Sequence, residues 1–410
     1  MTTATSGHAE GVLVIAAPGQ GAQTPGFLEP WLADPVLAAR LDWLSTVAGI
    51  DLAVHGTTSD ADTIRDTAVA QPLLVGATLV AALALVPHPG GSFGAIGAVA
   101  GHSVGEIAAA AGVGVISAEQ AMVLVRERGR AMADASAVRP TSMTAVVGGD
   151  REDVLARLEK HGLTAANDNG PGQVVAAGTT EQLAALAQDP PPRARLIDLP
   201  VAGAFHTEHM RPAVDVLARH ARSISVHDAR ARLISNRDGQ VVHEGRDVLA
   251  RLVSQVAQPV RWDLCMRTML DLGATGLLEM PPAGTLTGIA KRAMKGVETF
   301  ALTDPDQLDD ARVFLARHAD GAPGSSPMHA GPTWRLLVSP AKGTFNADTS
   351  VGEGDALAEG HEIGSVASLR DRVPVQAPHG GTIVEWLVED GDLVSPGQPL
   401  LRLHPVGEEA

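Results

Sequence analysis

The segment GHSVGE, residues 101–106, holds a serine between small residues in the pattern G-x-S-x-G. In this pattern the glycines permit a strained turn from a strand into a helix, which exposes the serine at the helix N-terminus. Ser103 is therefore a candidate nucleophile, and the next backbone N–H, that of Val104, could donate to an oxyanion. Many ordinary Gly/Ser turns also match these five letters, so the flanking elements must decide between the two interpretations.

The segments around Ser103 predict the strand and the helix that such a turn requires. The apolar stretch AIGAVAG precedes the serine, and the Ala-rich stretch EIAAAAG follows it. An earlier strand, GVLVIAAPG, ends in the Gly-rich turn APGQGAQ, residues 17–23. In a parallel sheet both turns lie at the carboxyl edge, where ligands bind. The backbone N–H of Gln20 could therefore supply a second oxyanion donor.

The wider pattern predicts an α/β core with an inserted subdomain. Short Val/Ile/Leu/Ala-rich runs, including ATGLLEM at 274–280, alternate with helical patterns, which indicates a mostly parallel sheet covered on both faces. Residues 141–200 follow the order βαββαβ, which is typical of a ferredoxin-like unit. We expect a ligand cleft between this unit and the larger sheet.

Composition excludes several classes of function and of site. The 410-residue chain has a formal charge of −16, which argues against a nucleic-acid partner. Its single cysteine, Cys265, allows neither an intrachain disulfide nor a multi-cysteine metal site, so we expect no metal and a reducing cytoplasm. The polar start does not resemble a signal peptide. The apolar run from Pro72 to Val86 is shorter than the roughly 20 residues that span a bilayer, so we expect a buried helix and no membrane partner.

Six segments in order resemble the malonyl-CoA:acyl carrier protein transacylase family and the acyltransferase domains of polyketide synthases. They are PGQGAQ, GHSVGE, RERGRAM, NDNGPGQVVAAG, GAFHTEHM and PPAGTLTGIAKR. The resemblance covers residues 11–317 and implies a hydrolase-like acyltransferase core. It also implies ping-pong transfer of malonyl from malonyl-CoA to the phosphopantetheine thiol of an acyl carrier protein, for fatty-acid or polyketide synthesis.

The resemblance assigns roles to residues of this chain. Ser103 would carry the acyl group as an ester, and His206 would be the general base that activates it. A backbone carbonyl near Gln258, in place of an aspartate, would orient the histidine. Arg128 would bind the free carboxylate of malonate, because a guanidinium is planar, bidentate and always charged.

Three further positions match the family's active site. His102 and Asn169 would give polar support to the acyl group or the oxyanion. Phe205, directly before the base, would occupy the space that an α-methyl needs and so favour malonyl over methylmalonyl. One methyl group in a pocket changes the discrimination between two substrates by only about 1–3 kcal/mol, so we expect a preference for malonyl and not an exclusion of methylmalonyl. The chain has GAFH where polyketide acyltransferases have HAFH.

A serine hydrolase or thioesterase is the main alternative, because these enzymes share G-x-S-x-G. They normally need an acidic third member after the serine, and they have no use for Arg128.

Transfer also needs a carrier protein, which is acidic, so a docking surface should be basic. The candidate docking surface is the segment KRAMK, with Lys291, Arg292 and Lys295. A helix face that is simply exposed to solvent would explain these three residues equally well.

The C-terminal part of the chain contains a duplicated pattern. Residues 318–332 are rich in Gly, Pro, Ser and Ala and predict a linker. Within residues 333–406, SPAKGTF and VGEGDALAEGHEI are echoed by APHGGTI and VEDGDLVSPGQPL. Equivalent positions are 38 residues apart in the first segment of each repeat and 37 residues apart in the second. Such a duplication predicts two β-units that share one core, because neither unit can bury its apolar face alone.

This repeat resembles the biotinyl/lipoyl carrier domain and its half-barrels. In that family a hairpin between the halves carries a modified lysine, and Arg370 stands at the corresponding position here. A guanidinium cannot form the required amide, so we predict no biotin or lipoate. From Thr333 onwards 12 acidic residues face 5 basic ones, which disfavours an acidic carrier as partner. Docking of another synthase or carboxylase component, a scaffold role for this module, and simple stabilisation stay open.

Overall fold

The computed structural model describes residues 12–86, 96–201, 203–319, 335–348, 350–368, 371–377 and 380–405. The chain divides into two compact units, Met1–Ser326 and Pro327–Ala410. The division falls inside the predicted linker, although the last helix of the first unit continues to Ala319, two residues into that linker.

The first unit is an α/β domain. Its strands are β1 Val12–Ala17, β2 Ala98–Gly101, β3 Thr141–Gly148, β4 Thr164–Asp168, β5 Gln173–Thr179, β6 Ala194–Asp198, β7 Leu233–Ile234, β8 Val241–Val242, β9 Val260–Arg261, β10 Ala274–Glu279 and β11 Glu298–Ala301. Its α-helices are α1 Pro35–Ala48, α2 Leu52–Thr57, α3 Thr67–Leu85, α4 Gly105–Gly112, α5 Ala118–Ser136, α6 Arg151–Lys160, α7 Thr180–Gln188, α8 Arg211–Ala221, α9 Gly245–Ser254, α10 Trp262–Asp271, α11 Thr285–Ala293 and α12 Leu308–Ala319.

The central sheet has the strand order β11-β10-β1-β2-β7-β8 and is parallel except for the β7–β8 pair. The predicted mostly parallel sheet is therefore confirmed. Its inner strands β1, β2 and β10 are buried except for the partly exposed Ile15 and Thr275, as expected for a sheet covered on both faces. Ala17 at the end of β1 is level with Gly101 at the end of β2. This register brings the turn that follows β1 alongside the turn that contains Ser103.

Helix α3 is the apolar segment that the sequence predicts to be buried. It begins at Thr67, five residues before the predicted start, because the Asp66 side chain accepts a hydrogen bond from the N–H of Ala68 and caps the helix. By length and composition alone α3 could cross a membrane, but 67% of that stretch is buried within the protein, where it packs against α1 and α5. These contacts are those of a core helix.

Residues 141–198 form the ferredoxin-like subdomain. Four antiparallel strands have the order β6-β3-β5-β4, and α6 and α7 follow β3 and β5 along the chain. The short strand β9 adds to the edge of this sheet, parallel to β4, and no sequence pattern predicts this pairing. The subdomain sheet is thus extended by a strand that comes from the chain beyond the insertion.

The second unit is all-β and consists of two four-stranded sheets, β12-β19-β17-β14 and β16-β15-β13-β18. The strands are β12 Arg335–Val338, β13 Gly343–Ala347, β14 Ala356–Leu357, β15 Glu362–Ala367, β16 Arg372–Gln376, β17 Gly381–Trp386, β18 Leu393–Val394 and β19 Pro399–Pro405. Each repeat gives its short middle strand to the sheet of the other: β14 pairs with β17, and β18 pairs with β13. Neither half is complete alone, and both share one apolar core.

The hairpin between the two halves is formed by β15 and β16, where Ala367 pairs with Arg372. Within the turn, the N–H of Ser368 donates to the carbonyl of Asp371 at 2.8 Å. Arg370 lies outside the described residues. The absence of an attached cofactor therefore stays a prediction from the sequence.

Candidate active site

The turn between β2 and α4 holds Ser103 in a conformation that few residues other than glycine adopt. The φ angle of Ser103 is 51°. Side chains at the two flanking glycines would not fit: a Cβ on Gly101 would lie 2.1 Å from the carbonyl oxygen of Gly105, and one on Gly105 would lie 2.3 Å from that of Ala17. The G-x-S-x-G pattern is thus required by close approach of the backbone, as in a nucleophile elbow.

His206 lies against the serine. Its Nε2 is 2.7 Å from Ser103 Oγ, and its Nδ1 is 2.9 Å from the backbone carbonyl of Gln255. A carbonyl only accepts, so Nδ1 carries the proton and Nε2 of the neutral ring can accept from the hydroxyl. The orienting carbonyl at 2.9 Å is that of Gln255, at the start of a short 3₁₀ helix that ends at Gln258.

The charge state of this histidine follows from its surroundings. His206 is buried, and burial, followed by the charge of the Arg128 guanidinium, lowers its pKa to about 3. The imidazole is therefore neutral at neutral pH and available as a base. The pair needs no carboxylate to hold this tautomer, since the Gln255 carbonyl does so.

Arg128 reaches the same point from α5 and is 1% exposed. Nη2 donates to Ser103 Oγ at 3.2 Å and to Gln255 Oε1 at 2.8 Å, and Nη1 donates to Gln71 Oε1 at 2.6 Å. Burial lowers the pKa of Arg128 to about 10, so the guanidinium stays charged. Within the part of the chain that the structure describes, no carboxylate forms an ion pair with it and its Nε has no hydrogen-bond partner.

Asn236 and Glu106 fix the backbone of the elbow. Asn236 Oδ1 accepts from the N–H of Ser103 at 2.7 Å, while its Nδ2 donates to the carbonyl of Gly101 at 2.7 Å. Glu106 Oε1 accepts from the N–H of Asn236 at 3.1 Å, and Oε2 accepts from Gln255 Nε2. Both residues are buried. No sequence pattern predicts them as part of the site, nor the side chains of Gln255 and Gln71.

His102, the residue before the serine, lies together with Asn169. His102 Nε2 is 2.9 Å from Asn169 Oδ1, and the His102 ring packs edge-on against Trp262. Asn169 directly follows β4 and so comes from the ferredoxin-like subdomain. Phe205 is buried in the main core cluster, one residue before the base. The site therefore lies where the subdomain meets the larger sheet.

The two predicted oxyanion donors lie on adjacent turns. Val104 directly precedes α4, so its N–H belongs to the helix N-terminus, where N–H groups lack carbonyl partners within the helix. The turn with Gln20 is held by its side chain, whose Nε2 donates to the Arg65 carbonyl at 3.2 Å. A Cβ on Gly19 would lie 2.9 Å from His102 Nδ1, so this turn closely approaches the residue before the serine.

The basic docking candidates lie at the end of α11. Lys291 and Arg292 are in its last turn and Lys295 follows the helix, and all three are exposed. Arg292 donates to Gln173 Oε1 at 3.1 Å, across to the subdomain. A Cβ placed on Gly170 would lie 3.9 Å from Ala293 Cβ. The helix end is therefore next to the loop that contains Asn169. No group of metal-ligating side chains occurs among the residues described.

Comparisons with known proteins place this arrangement in a family. A family model described as acyl transferase domain matches residues 15–318. The chain is 50% identical over 299 residues to the malonyl CoA-acyl carrier protein transacylase of Mycobacterium tuberculosis, which covers 73% of this chain and 99% of the relative. The chain belongs to the malonyl-CoA:acyl carrier protein transacylase family. The transacylase of Bacillus subtilis is 31% identical over 315 residues, with 74% of this chain and 98% of the relative covered.

Solved structures agree with the transacylase fold. The crystal structure of the Mycobacterium tuberculosis transacylase matches with a TM-score of 0.71 and 49% identity, covering 73% of this chain and 99% of that one. A malonyl-transacylase in complex with a type II polyketide acyl carrier protein matches with a TM-score of 0.68 and 29% identity, covering 74% and 99%. A second family model, described as biotin-requiring enzyme, matches residues 336–403. This transacylase therefore carries a biotinyl/lipoyl-like domain after the part that aligns with its relatives.

Proposed function

We propose that this chain transfers a malonyl group from malonyl-CoA to the phosphopantetheine thiol of an acyl carrier protein. The observation that carries the proposal is Arg128, a charged and buried guanidinium 3.2 Å from Ser103 Oγ with no carboxylate partner in the described chain. Glu106 acts on this charge only at a distance, and a buried charge without a counter-ion in contact is costly. A substrate carboxylate would supply that contact. Its unpaired Nε–H is a further donor that the substrate could use. An acyl group with a free carboxylate fits this site better than a plain acyl chain.

In the first half-reaction His206 Nε2 takes the proton of Ser103, and Oγ attacks the thioester carbon of malonyl-CoA. The tetrahedral intermediate collapses by breaking the C–S bond, and the coenzyme A thiolate leaves with the proton from His206. In the second half-reaction the carrier thiol gives its proton to His206, and its sulfur attacks the malonyl ester. Ser103 Oγ leaves and recovers the proton, so the protein returns to its starting state.

The negative charge of each tetrahedral intermediate needs donors near the acyl oxygen. We assign this role to the backbone N–H groups of Val104 and Gln20, because the two turns lie side by side at the carboxyl edge of the sheet. His102, hydrogen-bonded to Asn169, would give polar support to the acyl group. Phe205 would limit the space beside the α-carbon and so favour malonyl over methylmalonyl.

Hydrolysis is the competing outcome, since water could attack the same ester. The test is to incubate the protein with malonyl-CoA, with and without a phosphopantetheinylated carrier protein, and to follow malonyl-carrier and free malonate. We expect a stable malonyl-enzyme without the carrier and rapid formation of malonyl-carrier with it. Free malonate that accumulates at the same rate in both reactions would contradict the transferase proposal and favour a thioesterase.

The exposed end of α11 is our candidate surface for the acidic carrier. Reversing charge in Arg292→Glu with Lys295→Glu should raise KM for the carrier roughly tenfold, since each charge pair at an interface rim is worth about 0.5–1 kcal/mol. The KM for malonyl-CoA should change less, and the carrier effect should shrink at high salt. Steady-state kinetics at two salt concentrations would measure both.

A matched control reverses two other exposed arginines, Arg139 and Arg246, which lie on the loop before β3 and on α9. This variant changes the net charge by the same amount, so it should leave the carrier KM near the wild-type value. If the two double variants behave alike, the effect is one of net charge and the α11 surface is not the docking site.

A further inference from the structure

Glu106 is a buried carboxylate that the proposed reaction does not use directly. It is 3% exposed and lies in the first turn of α4, three residues after the serine. Both of its oxygens face N–H donors: Oε1 the backbone of Asn236, and Oε2 the side chain of Gln255. Both oxygens therefore accept hydrogen bonds, an arrangement that favours the ionised carboxylate.

Gln255 is the link between Glu106 and the rest of the site. Its Nε2 donates to Glu106 and also to the carbonyl of Ser103 at 3.1 Å, and its Oε1 accepts from Arg128 Nη2 at 2.8 Å. An amide can turn by 180° and exchange its oxygen and nitrogen. With an acceptor-only carboxylate on one side and a donor-only guanidinium on the other, a single orientation satisfies both.

From this chain of bonds we infer that Glu106 is a positioning residue for malonyl selectivity. Its carboxylate fixes the Gln255 amide so that the amide oxygen faces Arg128, which in turn holds the guanidinium beside Ser103. The inference rests on the proposed function and adds the residue that keeps the carboxylate-binding arginine in place. A neutral amide at position 106 must present its NH₂ to one of the two donors, so one bond is lost and the Gln255 amide is held only by Arg128, the Ser103 carbonyl and Asn236 Oδ1.

The experiment compares loading of Ser103 from malonyl-CoA and from acetyl-CoA, which offers the same thioester without the carboxylate. In Glu106→Gln the ratio of kcat/KM for malonyl-CoA to that for acetyl-CoA should fall about tenfold. The reason is that the substitution removes a hydrogen bond to a charged carboxylate that helps to orient Gln255, and Gln255 in turn binds Arg128. A general loss of structure would lower both values together. An unchanged or increased ratio would overturn the inference.

The pH profile gives a second readout. Burial raises the pKa of Glu106 to about 7, and the charged or titratable groups that face it are Arg128, Arg251 and Cys265. The two arginines stay charged, and burial raises the pKa of the Cys265 thiol, so only Glu106 changes charge near neutral pH. The wild-type ratio should rise as pH increases through about 7. The ratio for Glu106→Gln should stay level, and a parallel rise would count against the inference.

Two further variants complete the design. Glu127→Gln removes another partly buried carboxylate, one that pairs with Arg126, Arg130 and His220, and should leave the ratio unchanged. If Glu106→Gln does not fold, Gln255→Met cuts the same link and keeps the backbone carbonyl that binds His206. It should lower the ratio as well, and a wild-type ratio would overturn the inference. A wild-type protein without preference for malonyl-CoA would instead contradict the proposed function.

Discussion

Ser103→Ala should leave the protein folded and unable to hold an acyl group. The substitution removes only Oγ, which contacts His206 Nε2 and Arg128 Nη2, while the hydrogen bonds of the Ser103 backbone to Asn236 and Gln255 remain possible. Removing the nucleophile of a dyad that acts as a unit should lower the transfer rate by more than about 10,000-fold. Intact mass after incubation with malonyl-CoA should show a malonyl adduct on the wild type and none on the variant.

The control for this experiment is Ser223→Ala, which removes an exposed hydroxyl after α8. It should load malonyl like the wild type, because surface hydroxyls lack a base and an oxyanion site. A malonyl adduct that persists in Ser103→Ala, mapped to another residue by peptide mass, would show that a different nucleophile carries the acyl group. The melting temperature of both variants checks that each has folded.

Local patterns are sufficient to predict the elements that position the nucleophile. The G-x-S-x-G turn between an apolar strand and an Ala-rich helix depends only on neighbouring residues, and the structure has β2, Ser103 and α4 in this order. The βαββαβ order of the subdomain is equally local. Strand β9 is the exception, because two residues, Val260 and Arg261, carry no periodic signal and pair with β4 only after the whole domain has folded.

The polar network behind the serine could not be predicted from patterns. Gln71, Asn236 and Gln255 come from three separate segments, and nothing local shows that their amides converge on Arg128 and on the elbow. Glu106 stands inside the motif GHSVGE, yet a glutamate in the first turn of a helix usually interacts with solvent and the helix dipole. Its burial and its two donors depend on packing against Asn236 and Gln255.

In the C-terminal unit, too, the sequence pattern predicts the repeated elements but does not predict how they pair. The repeat with its offsets of 38 and 37 residues predicts two related halves and a shared core. It does not predict that β14 and β18 are exchanged between the two sheets, since two-residue strands have no alternation to read. The equivalent glycines of the two repeats show the exchange, because each donates to the other repeat. The N–H of Gly354 donates to the carbonyl of Ile383, and that of Gly391 donates to the carbonyl of Phe345, each at 2.8 Å.

Arg128→Met should convert a malonyl-selective site into one that no longer distinguishes acyl groups by their carboxylate. Losing one partner of a buried charged pair typically costs about 3 kcal/mol, so kcat/KM for malonyl-CoA should fall roughly 150-fold. The value for acetyl-CoA should fall far less or rise, because acetyl leaves the guanidinium desolvated without a counter-ion. The malonyl-to-acetyl selectivity of Arg128→Lys should lie between those of the wild type and of Arg128→Met, because lysine keeps the charge and lacks the planar guanidinium. Competition kinetics with both thioesters would measure the selectivity directly.

Arg126→Ala provides the matched control on the same helix. Arg126 bonds to Glu127 and to the Val47 carbonyl and contacts neither the serine nor the base, so its loss should not change selectivity. Equal losses with both thioesters in Arg128→Met would mean that the arginine only supports the fold around Ser103. A loss confined to malonyl-CoA can come only from an interaction with the group that acetyl lacks. The carboxylate is that group, and Arg128 is the charged and buried donor beside the nucleophile that can bind it.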